Sequence, residues 1–97
     1  MNEKLDQEIR SGMNSRRLLD DPVFKEAFSV IESTLIERIR QVPMGDVKTQ
    51  HELVLSVQLL GQLRNHFQTI IDTGKMAQIQ KQTILDRAKR LMRGTNA

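Results

Sequence analysis

The sequence predicts an all-α protein: an antiparallel helical hairpin over about 21–42 and 47–73, flanked by an N-terminal helix within 1–20 and a basic C-terminal helix over 75–93. Three observations predict it. The apolar residues are mostly Leu, Ile, Val and Met, with no Tyr or Trp and rings only at Phe24, Phe28 and Phe67. Two prolines and five glycines in 97 residues are too little turn chemistry for a many-stranded β protein. Between those breaks the apolar residues recur at helical spacing. A chain of this length makes one small domain, 1–97, able to bury only about two-thirds of its unfolded surface.

The first element carries a thin stripe of Leu5, Ile9, Met13 and Leu18, interrupted by Gly12. The next begins in RLLDDPVF. Asp21 stands where an N-cap acceptor belongs, and Pro22 at the first helical position forfeits no hydrogen bond. Asp20 adds negative charge near the positive end of the helix dipole. The acid pair therefore reads as punctuation rather than as catalytic carboxylates, which need surroundings that push two pKa values apart. Phe24, Ala27, Phe28, Ile31, Leu35, Ile39 and Val42 then form one stripe, and the helix should end near Pro43.

Asp46 or Thr49 can cap the second long helix, with Gly45 relaxing the turn. Its main stripe is Leu53, Val57, Leu60, Leu63, Phe67, Ile70 and Ile71, widened by Val54, Leu55 and Leu59 beyond what one partner helix covers. Gly61 inside it costs about 1 kcal/mol relative to alanine, so another helix is expected to approach there. Gly74 is placed as a C-terminal stop. The short turn makes the two long helices antiparallel neighbours. Beyond it, Met76, Ile79, Ile84, Ala88, Leu91 and Met92 give a third amphipathic pattern, with a frayed GTNA end.

Composition excludes several function classes. Without cysteine there is no disulfide, thiolate nucleophile or cysteine-ligated metal. No apolar run approaches the roughly 20 residues of a membrane span, and MNEKLDQEIR lacks the pattern of a signal peptide. These features suggest a soluble, intracellular chain. His51 and Glu52 open HELVL, which superficially resembles HExxH, but Leu55 stands where the second histidine belongs. His66 lies 15 residues further on, about 22 Å along a continuous helix. The expectation is no metal site and no cofactor. Scattered serines and single glycines form neither a triad nor a phosphate loop. Nothing supports an enzyme.

The charge is asymmetric. Residues 1–74 hold nine Lys or Arg against eleven Asp or Glu, whereas 75–97 hold six against Asp86 alone. Arg87, Lys89, Arg90 and Arg93 are thus the candidate partner-binding residues. Three readings stay open: a solvated helix end or protein-docking segment, contact with nucleic-acid phosphates, or a membrane-surface helix. The lack of an aromatic residue in the segment weakens the second, and the lack of Trp or Phe anchors weakens the third. The segment is expected to be dispensable for folding.

GMNSRRLLDDPVFKEAF, LIERIRQVPMGDV and LLGQLRNHFQTIIDTGKMAQ, in that order, resemble a loose group of small helical proteins of tailed bacteriophages, encoded near capsid and portal genes. Their shared features are a leucine pair before an acid and proline, a polar turn, and a long helix closing on a step like Gly74, Lys75 and Ala77. The turn here departs in carrying Pro43 and Gly45, and leucines such as Leu53 and Leu55 replace an aromatic residue. The resemblance implies a phage context, with the host cytoplasm or the virion as location, and supplies no catalytic residue. The expected function is non-enzymatic: self-association through Leu53, Val57, Leu59, Leu60, Leu63 and Phe67, and docking onto a larger phage or host protein in virion assembly. The alternatives are a nucleic-acid-binding accessory protein using the basic end and a small inhibitor of a host protein.

Overall fold

The computed structural model describes residues 2–96, with side chains for 2–94. It is all-helical: α1 spans Asn2–Asp20, α2 Pro22–Gln41 and α3 Val47–Asn96, with no strand among the described residues. The breaks follow the local chemistry. Asp21 is extended (φ −65°, ψ 125°), and its Oδ1 accepts the N–H groups of Val23 at 2.9 Å and Phe24 at 3.0 Å. These are two of the orphan donors of a helix start, so the capping role expected of Asp21 holds. Val42, before Pro43, is likewise extended (φ −71°, ψ 129°). A proline disfavours helical geometry in the residue preceding it. Asp46 Oδ1 then accepts the Thr49 N–H at 3.2 Å, which makes Asp46 the cap of α3.

The expected stop at Gly74 is not there. One 50-residue helix replaces the predicted 47–73 and 75–93 pair. A glycine ends a helix by adopting positive φ, and no described glycine does so. No proline follows, and Lys75–Lys81 is rich in good helix formers. α3 extends to Asn96, into the GTNA end where fraying is expected; Ala97 lies outside the described residues.

The chain divides into two compact units, Met1–Arg16 with Gln68–Ala97, and Arg17–Phe67. In the second, Phe28 is the buried centre at 6% exposure. The Phe24 ring lies 5.9 Å from it and meets Phe67 edge-on at 6.0 Å, within the range where aromatic pairs attract. The Arg64 guanidinium sits 4.3 Å over the Phe28 ring, close enough for a cation–π contact. Contacts pair Phe24 with Phe67 and Phe28 with Arg64, so they run in opposite directions along α2 and α3.

In the first unit, Leu5, Ile71 and Ala77 are buried, as are Gly12, Ser15 and Gly74. α1 and α3 touch backbone to backbone here. A Cβ built on Gly12 would lie 3.0 Å from Gly74 Cα and 3.2 Å from the Ile70 carbonyl oxygen. One built on Gly74 would lie 3.0 Å from the Glu8 carbonyl oxygen. The close approach expected at Gly61 is therefore found at Gly12 and Gly74 instead, and nothing lies within 4 Å of a Gly61 Cβ. Lys81 Nζ donates to Asp6 Oδ1 at 2.6 Å, one side chain 41% and the other 44% exposed. Ala77 and Lys81, within the segment expected to be dispensable for folding, thus lie in the packed part of this unit.

Candidate functional site

The six apolar residues proposed for self-association separate into two sets on α3. Leu53, Val57, Leu60 and Phe67 are half-buried. They share the helix face of Arg64, which meets α2 through Phe28, while Phe67 meets Phe24. Leu59 and Leu63 are 54% and 46% exposed. A helical residue advances about 100°, so Leu63 and Leu59 step off that face to one side and Val54 and Gly61 to the other. The structure brings the first four into the packed face and leaves the last two outside it.

α2 repeats the pattern. Phe24, Phe28, Leu35 and Ile39 are buried or half-buried, whereas Val23, Val30 and Ile31 remain exposed on or beyond the flank. With Phe24 set against Phe67 and Phe28 against Arg64, the flank with Ala27 and Ile31 faces the same way as the flank with Leu59 and Leu63. Ile36 and Val54 belong to the opposite side. Sequence reasoning set Leu59 among the residues that widen the stripe, but placed Leu63 in the main stripe of α3 and Ile31 in that of α2. Its place at the edge of that stripe, one step from Ala27, was the available signal.

The basic residues Arg87, Lys89, Arg90 and Arg93 all lie on the last turns of α3 and are exposed. By helical phase they spread over almost half of its circumference rather than forming one line. Lys81 differs from them, being half-buried and paired with Asp6. Asp86 accepts a hydrogen bond from Gln82 at 3.0 Å, one turn earlier.

The hollows offer little to a small molecule. One at Ile9, Gly12, Ile71 and Gly74 holds about 70 Å³, against the roughly 300–1,000 Å³ of ligand pockets. A wider groove of about 550 Å³ beside Ile79, Gln82 and Leu85 is open, and its cation, Lys81, is already paired. His51 and His66 are both exposed. Among the described residues no three His, Cys, Asp or Glu side chains are grouped to hold a metal ion. No helix among them is long and apolar enough to cross a membrane. No protein-family model, curated protein or solved structure matches the chain.

Proposed function

We propose that this is a non-enzymatic interaction protein, in which α2 and the first half of α3 form an antiparallel hairpin that self-associates through exposed helix flanks, while the basic end of α3 docks onto an acidic surface of a larger protein. The observation that carries the reading is uncovered apolar surface. Ile31, Leu59 and Leu63 are each about half exposed, and no large side chain is fully buried among the described residues.

The resemblance of residues 12–79 to small helical proteins of tailed phages makes virion assembly the context of this reading, with the host cytoplasm and the virion as its locations. Sedimentation velocity at micromolar concentration tests it directly. A dimer or larger species is expected, and a monomer at every concentration would remove its basis.

A nucleic-acid partner is the second reading, favoured by the exposure of Arg87, Lys89, Arg90 and Arg93. It gains no stacking platform, because the three phenylalanines all lie between residues 24 and 67, with Phe28 buried. Titration with a duplex at rising salt separates the two. Phosphate contacts predict a loss of about one power of salt concentration per contact, whereas a protein rim predicts weak DNA binding throughout.

A further inference from the structure

We infer that the occupant of the Ile31, Leu59 and Leu63 flank is a second copy of this chain, seated so that α2 of each copy lies against α3 of the other in a two-fold four-helix arrangement. The inference rests on the self-association reading above and specifies its surface and geometry. Two flanks of the Arg17–Phe67 unit carry exposed apolar residues. The Ile36 and Val54 flank is 40% and 42% exposed at those positions; the other is 49%, 54% and 46% exposed at Ile31, Leu59 and Leu63. Ala27 extends the second flank without adding bulk.

Charge selects the occupant. Arg38 on α2 and Glu52 on α3 lie on that same flank by helical phase, near the turn between the helices. Neither has a salt-bridge partner among the described residues. A two-fold axis parallel to the helices sets α2 of one copy beside α3 of the other. It brings Arg38 level with Glu52 of the second copy, twice by symmetry, as an isologous interface requires. Every neighbouring helix pair is then antiparallel, the arrangement of up-and-down bundles. The apolar residues meet inside, and the charged pairs stand at the rim, where they set register more than affinity.

Charge exchange between copies tests this with the full chain. R38E and E52R alone each place like charges opposite one another, and each should self-associate about fivefold or more weakly than the original protein. Mixed in equal amounts, the two variants form a hetero-pair with both contacts restored, and association should return close to the original strength. Pairing within one chain cannot be rescued by mixing. L59E should abolish association with helicity retained, and V54E should leave it unchanged. If the mixture associates no better than its components, or V54E rather than L59E disrupts the dimer, the inference fails while self-association stands. If the unaltered protein is monomeric at all concentrations, the self-association reading and this inference fail together, and the flank belongs to a different partner.

Discussion

Gly12 and Gly74 bring the backbones of α1 and α3 together, each occupying the space where a side chain on the other would begin. The atoms facing each missing Cβ are backbone atoms at 3.0–3.2 Å, which cannot swing aside as a flexible side chain can. Larger residues here must therefore separate the helices. This contact also explains why α3 tolerates a glycine at its centre: the helix-propensity loss of about 1 kcal/mol is offset by approach.

Gly12→Leu or Gly74→Leu should destabilise the first unit by roughly 1–3 kcal/mol, the usual range for overpacking. Gly61 supplies the control. With nothing within 4 Å of its Cβ, Gly61→Ala should instead stabilise the protein by up to about 1 kcal/mol. Denaturant melts of the three variants should move in opposite directions. Equal, small effects at Gly12 and Gly61 would show that the close approach is not maintained in solution.

Asp21→Ala should lower stability by roughly 0.5–2 kcal/mol, because the Val23 and Phe24 N–H groups lose their acceptor. Asp21→Ser or Asp21→Asn should recover most of the loss. Partner binding measured on folded protein should not change, since the residue acts on the helix start alone. Weakened association without a stability loss would mark Asp21 as a contact residue instead.

Phe28→Ala should cost roughly 3–5 kcal/mol, the range for emptying a buried phenylalanine site. Phe28 anchors both Phe24 and the Arg64 cation–π contact, so its removal disturbs both partners at once. Against a total stability of about 5–15 kcal/mol for a small domain, that is a large share of the whole. Phe24→Leu, at a half-buried position, should be milder. A Phe28→Ala variant melting within a degree of the original would show that this cluster is peripheral.

How much of this was legible in the sequence depends on how local each determinant is. The Asp21–Pro22 start, an end near Pro43 and a cap at Asp46 or Thr49 were readable, because capping depends on residues one to three positions away. The all-α class followed from periodicity for the same reason. Gly74 misled because a stop and a helix–helix contact both call for a missing Cβ. Only the partner, Gly12, 62 positions away, decides between them. Leu59 was identifiable as a surplus apolar residue, but Leu63 read as part of the main stripe, and separating both from Leu53, Val57, Leu60 and Phe67 needed the direction in which α2 lies. The pairing of Lys81 with Asp6 had no local signal at all.

The end of α3 should divide into a part that holds α1 and a part that does not. Truncation after Thr73 removes Gly74, Ala77 and Lys81, which pack against or pair with the first unit's α1. An isolated helix of the size of residues 2–16 is marginal in water, so α1 should unfold as well, and helicity should fall by more than the deleted residues account for. Amide exchange should show α1 unprotected while residues 24–39 and 49–67 stay protected, since their contacts lie in the other unit. Truncation after Leu85 retains those three residues and should leave α1 protected. It also removes Arg87, Lys89, Arg90 and Arg93, all exposed, so binding to an acidic protein partner should weaken without loss of fold. The Asp6–Lys81 pair itself should contribute little, because both side chains are more than one-third exposed; Asp6→Asn should cost no more than about 1 kcal/mol. If α1 keeps its protection after truncation at Thr73, the Gly12–Gly74 contact is not what holds it, and residues 75–84 are dispensable after all.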